Sequence, residues 1–198
     1  MSENIVPVSD SMMPRRDREE QYRQRAKCFW FTGLPGSGKS TLAVALEAEL
    51  IRSGFKVVLL DGDNVRSGLN AGLGFSEEER RENIRRVAEV NRLLLNEGII
   101  VLNSFVSPCE DLRKLASAII GEDDFRLIWV SAPLETCEKR DVKQHYTKAK
   151  KGGIASFTGV SAPFENPASC FLEIPTHIMS FEDSLELLLK HILPEIEL

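Results

Sequence analysis

The sequence predicts an α/β fold in which helices cover both faces of a parallel sheet. Short segments that are apolar throughout alternate along the chain with amphipathic segments of helical period. Strands that lack a polar face are typical of parallel sheets buried on both sides. The chain has 198 residues, of which 42% are hydrophobic and 28% charged. That size and balance suit one soluble domain with at most a lid or a tail.

Each predicted element rests on apolar spacing and on the signals at its ends. The clearest helix opens at Ser76, which forms a capping box with Glu79, carries an apolar stripe from Ile84 to Leu95, and closes at Gly98. The other predicted helices cover residues 39–53, 111–120, 133–140 and 181–192. The predicted strands cover residues 28–32, 56–60, 99–105, 125–130 and 171–174.

Two stretches of the chain lack a clear period. Within the polar lead-in of residues 1–27, residues 15–25 mix charges and fit either a short outer helix or a solvated tail. Residues 143–167 are basic and contain glycine, so a mobile basic lid at about residues 141–167 is expected.

Overall charge and apolar content limit the classes of partner that the protein is expected to bind. The net charge is −5 and the isoelectric point is about 5.4, which gives no support for nucleic-acid binding. No apolar run approaches the roughly 18 residues of a membrane span, and residues 1–25 lack the apolar core of a signal peptide. We therefore expect a cytoplasmic protein without a nucleic-acid or membrane partner. Its four cysteines form no C-x-x-C pair and are expected to be reduced thiols: Cys28, Cys109, Cys137 and Cys170.

A phosphate-binding loop follows the first predicted strand. Residues 33–40, GLPGSGKS, match G-x-x-x-x-G-K-[ST] between a strand and a helix. Glycines let backbone N–H groups approach a polyphosphate, and the helix N-terminus adds positive charge. Lys39 is expected to reach the outer phosphates and Ser40 to ligate Mg²⁺. The pattern predicts a P-loop NTPase fold whose ATP-binding residues are Gly33, Gly36, Ser37, Gly38, Lys39, Ser40 and Thr41.

Other P-loop classes fit the sequence less well. A GTPase would carry an N-K-x-D motif to read the base and a D-x-x-G switch, and neither occurs in the sequence. The chain is also short for a motor or a helicase, and no second basic motor motif is present.

A second group of polar residues stands where another predicted strand ends. Asp61, Asp63 and Arg66 follow that strand, at the carboxyl edge of the sheet where ligands bind in doubly wound folds. Phosphoryl transfer to a hydroxyl needs a carboxylate that orients the hydroxyl and takes its proton. Asp63 fits this catalytic role, and Asp61 could support the water shell of the metal. In isolation, Asp and Gly often do no more than form a turn.

With these motifs in place, the chain resembles the adenylylsulfate kinase family, also called APS kinases, over about residues 28–176. The resemblance implies a kinase domain at residues 28–198. It implies transfer of the ATP γ-phosphoryl group to the 3′-hydroxyl of adenosine 5′-phosphosulfate, which gives PAPS and ADP, with Mg²⁺ as cofactor. Family members commonly form dimers, so the resemblance allows a homodimer, although the sequence alone does not settle the oligomeric state. Besides the phosphate loop, the matching segments are residues 61–66, 68–70, 73–76, 80–90, 104–108, 132–135, 137–143, 157–159 and 165–167.

The resemblance also implies roles for individual residues. Arg80 and Asn83 lie three positions apart and project from one helix face, and arginine suits the oxyanions of a phosphosulfate. Arg140 and Thr176 resemble the residues on the adenine side of ATP. Ser107 matches a serine described as phosphorylated in this family, although direct transfer needs no such intermediate and we favour a positioning role. The implied substrate-binding residues are Asp63, Arg66, Phe75, Arg80, Asn83, Val106, Ser107, Lys143 and Phe157.

Several positions depart from the family pattern around the lid and the acceptor site. They are Pro35, Cys109, Gln144, His145, Ser161, Ala162 and Pro175. They leave the kinase chemistry intact but keep open a related P-loop kinase acting on another nucleotide-linked or sugar acceptor. A non-catalytic nucleotide-binding subunit is a further alternative, although a pure binder has no need of a base such as Asp63.

Overall fold

The computed structural model describes residues 8, 11–141, 144–153 and 156–198. Its sheet has five parallel strands in the order β2-β3-β1-β4-β5, which confirms the predicted α/β fold. Apolar strands joined by helical crossovers give this arrangement. The strands are β1 Cys28–Thr32, β2 Val57–Asp61, β3 Ile100–Ser104, β4 Phe125–Ser131 and β5 Leu172–Pro175.

Helices fill the connections and flank the sheet. They are α1 Arg15–Tyr22, α2 Lys39–Arg52, α3 Gly62–Ser67, α4 Glu77–Asn96, α5 Glu110–Ile120, α6 Leu134–Arg140, α7 His145–Lys150 and α8 Phe181–Ile196. The structure adds α3, which the side chain of Asp61 caps by accepting from the Asp63 amide, and α7, a short helix within the predicted lid. In the described ranges, no helix is both long and apolar enough to cross a membrane.

Two apolar layers hold the helices to the sheet. Because successive side chains of a strand point to opposite faces, Phe29 and Phe31 of β1 pack with α2 and α8, whereas Cys28 and Trp30 pack with α4 and α5. All four side chains are fully buried. Burying one large apolar side chain is worth roughly 1.5–3 kcal/mol, so this central strand fixes both layers.

The amino-terminal segment packs against the end of the sheet opposite the carboxyl edge. Arg15 of α1 donates to both carboxylate oxygens of Asp124, at 2.5 and 3.0 Å. Gln24 is fully buried and joins the chain before β2 to the turn before β3. Its amide bonds the backbone N and O of Lys56 and the carbonyl of Gly98. The sequence left a short helix or a solvated tail open for residues 15–25, and the structure shows the short helix.

Candidate active site

A single cavity of about 1400 Å³ lies at the carboxyl edge of the sheet. Sites for one small ligand usually span roughly 300–1000 Å³, so this cavity has room for more than one. Gly33 and Ser37 belong to the same loop but do not line it, and Lys143 lies outside the described residues. The predicted site residues that do line it are Gly36, Gly38, Lys39, Ser40, Thr41, Asp61, Asp63, Arg66, Phe75, Arg80, Asn83, Val106, Ser107, Arg140, Phe157 and Thr176.

The phosphate loop has a backbone that glycine alone accommodates at two points. At Gly33, φ is +150°, and a Cβ atom would lie 2.3 Å from the carbonyl oxygen of Val130. At Gly36, φ is +79°, and a Cβ atom would lie 2.9 Å from the carbonyl oxygen of Cys137. Any side chain would therefore displace the loop from β4 or α6. The loop leads directly into α2, whose N-terminus adds positive charge to the cavity.

Lys39 extends along this loop. Its Nζ donates to the carbonyl oxygens of Gly33 at 2.9 Å and Leu34 at 2.8 Å. Because the side chain is 7% exposed, its ammonium charge is little screened by water. This arrangement concentrates positive charge where the loop amides and the α2 N-terminus meet.

Oxygen atoms from three elements meet beside Lys39. Ser40 at the start of α2 donates a 2.8 Å hydrogen bond to Oδ2 of Asp61 at the end of β2. The Ser40 hydroxyl also lies 3.1 Å from that of Ser104 at the end of β3. Asp61 Oδ1 accepts from the Asp63 amide at 3.1 Å. The carboxylate and hydroxyls form the kind of hard oxygen donor set that Mg²⁺ prefers.

The other part of the cavity is cationic and aromatic. The guanidinium carbon of Arg66 lies 4.4 Å from the ring centroid of Phe75, and that of Arg80 lies 5.5 Å from it. Arg66 donates to the carbonyl oxygens of Leu73 and Gly74. Burial lowers the pKa of Arg66, and burial together with the charge of Arg66 lowers the pKa of Arg80. Two charges held this close favour an anionic ligand.

The loop after β3 presents Ser107 in an unusual backbone conformation. Ser107 has φ +40°, in a region that costs a residue other than glycine of order 1–3 kcal/mol. Its hydroxyl oxygen accepts a 2.9 Å hydrogen bond from the Trp30 indole. Its carbonyl oxygen accepts at 3.0 Å from Arg113, which is 2% exposed. Thr32 bonds the carbonyl of Val106 at 2.7 Å. The loop is therefore fixed by buried partners in β1 and α5.

The described part of the lid closes over the phosphate loop. Tyr146 of α7 donates to the carbonyl oxygen of Pro35 at 2.9 Å and meets the Phe157 ring edge-on, 5.1 Å between centroids. Two departures from the family pattern lie beside this ring. His145 meets it edge-on at 6.0 Å, and the Ser161 hydroxyl accepts from the Phe157 amide at 2.9 Å. Arg80 donates to the backbone carbonyl of Ser156, the residue before Phe157, at 2.5 Å.

Arg140 and Thr176 lie against the phosphate loop. Arg140 donates to the hydroxyl oxygen of Thr176 at 3.1 Å and to its carbonyl at 2.7 Å. The Thr176 hydroxyl in turn donates to the carbonyl of Ser37 at 2.8 Å. Met179 and Phe181 also line the cavity. Sequence reasoning did not single out these two, because an apolar residue at the start of a helix resembles ordinary core.

Three further residues that sequence reasoning missed hold the predicted ones in place: Trp30, Tyr146 and Asn70. In the sequence, Trp30 looks like a core residue of a strand and Tyr146 is one residue among lysines, so neither pattern indicates a site residue. Asn70 is fully buried, and its amide nitrogen lies 3.0 Å from Oδ1 of Asn83. A buried polar side chain in a loop is the signal that could have found it, but burial does not follow from this part of the sequence.

The fold and this cavity define a P-loop kinase. The chain belongs to the adenylylsulphate kinase family, whose model matches residues 25–175. It is 55% identical over 194 residues to the adenylyl-sulfate kinase of Bacteroides thetaiotaomicron, covering 98% of this chain and 96% of that protein. It is 52% identical over 193 residues to the adenylyl-sulfate kinase of Bacteroides fragilis, with coverage of 98% and 96%.

A solved structure extends the similarity to the fold. The APS kinase CysC of Mycobacterium tuberculosis, in complex with AMPPNP and APS, superposes with a TM-score of 0.81 at 39% identity. The match covers 85% of this chain and 98% of that one. That relative therefore holds a nucleotide analogue and APS at the same time.

Proposed function

We propose that this chain transfers the γ-phosphoryl group of ATP to the 3′-hydroxyl of adenosine 5′-phosphosulfate, giving PAPS and ADP. One observation carries the proposal. A single cavity joins a phosphate loop to a cationic, aromatic subsite, with the carboxylates of Asp61 and Asp63 on its wall. A kinase with a nucleotide acceptor needs two neighbouring nucleotide subsites, one for the donor and one for the acceptor.

ATP takes the subsite between the phosphate loop and Thr176. The loop amides and Lys39 hold the phosphates and stabilise the charge that develops during transfer. Arg140 lies against the loop through its bonds to Thr176 and faces the nucleoside side. Met179 and Phe181 supply apolar surface for the adenine.

The acceptor takes the subsite around Phe75. Arg66 and Arg80 attract the phosphosulfate oxyanions, and a guanidinium matches their geometry. The half-exposed ring of Phe75 and the ring of Phe157 supply stacking surfaces for the adenine. Together with Asn83 and Val106, these residues place the ribose near the γ-phosphorus.

Asp63 is the catalytic base of the proposal. It lines the cavity where β2 ends and takes the proton of the 3′-hydroxyl as the new P–O bond forms and the bond to ADP breaks. Ser107 positions the acceptor and is not a covalent relay. Its oxygen already accepts from the Trp30 indole, which occupies a lone pair and makes it a weaker nucleophile.

Mg²⁺ fits the donor set of Ser40 and Asp61. In the described ranges, no three His, Cys, Asp or Glu side chains are grouped to hold a metal by themselves. That pattern suits Mg²⁺, which is usually bound through one or two protein groups together with substrate phosphates. The ion neutralises phosphate charge when bound. Ser40 would ligate it, and Asp61 would hold its water.

The test is ATP consumption against a panel of acceptors: adenosine 5′-phosphosulfate, AMP, adenosine and several free sugars. We expect turnover with the phosphosulfate at low concentration and little with the others. Preference for another acceptor would favour the alternative kinase, and would point to His145 and Ser161 beside Phe157. The homodimer and the cytoplasmic location stay predictions of the sequence.

A further inference from the structure

Asn70 contacts the acceptor subsite indirectly, through one side chain. It lies between α3 and α4 and is fully buried. Its Nδ2 atom is 3.0 Å from Oδ1 of Asn83 and 3.4 Å from the backbone carbonyl oxygen of Asn83. Asn83 is itself 4% exposed and lines the cavity.

This contact sets which way the Asn83 amide points. A backbone carbonyl only accepts hydrogen bonds, so the atom of Asn70 that faces it must be the amide nitrogen. That nitrogen is also the partner of the Asn83 side chain, so the Asn83 atom facing it must be the acceptor Oδ1. The Nδ2 group of Asn83 is thereby turned away from Asn70, on a side chain that lines the cavity.

Asparagine at position 70 carries an energetic cost that an apolar side chain of similar size would avoid. Oδ1 of Asn70 is buried and has no hydrogen-bond partner among the described residues. Leaving a buried acceptor unpaired is unfavourable. A leucine of similar size would fill the same space without that atom. The benefit of asparagine at this position therefore lies in the Nδ2 donor that it aims at Asn83.

We propose that Asn70 is a positioning residue for the acceptor nucleotide. It holds the Asn83 amide so that its N–H₂ group, and not its oxygen, is presented to an acceptor atom of the bound phosphosulfate. A preset amide binds more tightly than one that must first be rotated and held. The inference rests on the proposed function, because it concerns the substrate of the same site.

A second buried asparagine pair supplies a matched control. Asn91 and Asn103 bond each other reciprocally, at 2.9 and 2.7 Å. Both are fully buried, and neither lines the cavity. Asn91→Leu thus removes the same kind of contact from the same kind of environment without touching the acceptor subsite.

The experiment compares steady-state kinetics and melting temperatures of the wild type, Asn70→Leu and Asn91→Leu. For Asn70→Leu we expect the KM for adenosine phosphosulfate to rise about tenfold, the ratio for one hydrogen bond. We expect little change in the KM for ATP or in kcat. The melting temperature should fall only modestly, because Oδ1 of Asn83 loses its donor while the unpaired Oδ1 of Asn70 is removed. For Asn91→Leu we expect the melting temperature to fall while both KM values hold.

Asn70→Asp adds a readout that a purely structural role would not move. The carboxyl that this substitution introduces can donate to Asn83 while it is protonated, but once ionised it can only accept. The KM for the phosphosulfate should therefore rise relative to the wild type as the pH increases from about 6 to 9, since burial raises the pKa of a carboxyl toward this range. This pH profile also tests the positioning role of Asn70 if Asn70→Leu does not fold.

The outcomes separate the two proposals. A wild type that uses adenosine phosphosulfate, with variants that keep its KM at every pH, leaves the function standing and overturns the role of Asn70. The role of Asn70 is likewise overturned if both KM values change in step with the melting temperature. A wild type without that activity overturns the proposed function, and the inference with it.

Discussion

The Tyr146 hydroxyl donates a hydrogen bond of 2.9 Å to the backbone carbonyl of Pro35. One side chain thus joins the lid helix α7 to the phosphate loop, while its ring lies edge-on to Phe157. Burial raises the pKa of Tyr146, so the hydroxyl stays protonated and remains a donor. Tyr146 therefore connects the phosphate loop to the ring of Phe157, the surfaces proposed for the two nucleotides.

We expect Tyr146→Phe to raise the KM values for both ATP and the acceptor by about fivefold, because the loss of one hydrogen bond loosens the lid from the loop. The ring and its contact with Phe157 remain, so the fold should persist. Tyr22→Phe is the matched control, since Tyr22 lies on α1 away from the cavity. Unchanged KM values for both substrates in Tyr146→Phe would contradict the connection.

Asp63→Asn should reduce kcat by about 10²–10⁴-fold, the usual contribution of a general base. An amide cannot take the proton of the 3′-hydroxyl, whereas the phosphate loop is untouched. Binding of an ATP analogue, measured by titration calorimetry, should therefore stay within a few fold of the wild type. Equal losses in turnover and in analogue affinity would assign Asp63 to nucleotide binding.

Asp61→Asn is the contrast to that variant. Asparagine can still cap α3, but it removes the negative charge beside Ser40. The concentration of Mg²⁺ that gives half-maximal activity should increase for Asp61→Asn and stay unchanged for Asp63→Asn. Identical Mg²⁺ dependence in the two variants would remove the assignment of the metal to Ser40 and Asp61.

Arg80→Ala should raise the KM for adenosine phosphosulfate by about 10–100-fold, the range for a hydrogen bond to a charged group. Arg80 donates to the carbonyl of Phe75 at 2.9 Å and lies over its ring, so its charge is held in the proposed acceptor subsite. The neighbouring Arg81 is exposed and does not line this cavity. Arg81→Ala should therefore leave the acceptor KM as it is, and an unchanged KM in Arg80→Ala would refute the subsite.

Ser107→Ala should retain substantial activity, with kcat reduced about tenfold or less, if transfer is direct. The alanine removes one positioning hydroxyl and leaves the carbonyl bond to Arg113 in place. Radiolabelled ATP should place no stable phosphate on the wild-type chain. Complete loss of turnover with intact substrate binding, together with a labelled Ser107, would establish the covalent route.

The predictable part of this molecule is the part encoded locally. Eight consecutive residues specify the phosphate loop, and the capping box of Ser76 and Glu79 begins α4 where expected. The apolar runs predict the ends of the five strands to within about two residues of those in the structure, which is the usual uncertainty of element ends. The short helices α3 and α7 were not predicted, because six residues hold too few turns for an apolar period to be recognised.

The supporting contacts of the site could not be predicted, because they join distant positions. Trp30 and Ser107 are separated by 77 positions, and Tyr146 and Pro35 by 111. No periodicity relates such residues, and the sequence around each one predicts only that it is buried or exposed. Their pairing depends on the strand order, in which β1 lies between β3 and β4. Most of the predicted residues line the cavity, whereas the missed Trp30 and Asn70 lie behind it and contact them.

Asp124 fastens the amino-terminal segment at the end of the sheet opposite the site. Burial alone would raise the pKa of Asp124, but the hydrogen bonds and charges of Arg15 and Lys27 outweigh it and lower that pKa. A carboxyl whose pKa is depressed on folding stabilises the protein above its unfolded pKa of about 3.9. This stabilisation is lost as the pH falls through the lower, folded value.

Asp124→Asn should therefore lower the free energy of unfolding by about 1.5–3 kcal/mol at pH 7, the range for hydrogen bonds to charged groups. Urea titrations at each pH should show that the difference in the free energy of unfolding between variant and wild type decreases as the pH falls below about 4. Asp123→Asn is the control, because Asp123 is exposed and bonds Lys27 through its backbone. Since Asp124 lies away from the cavity, kcat should hold in both variants. A gap that stays constant down to about pH 2 would show that the carboxylate charge does not fasten α1 to the sheet.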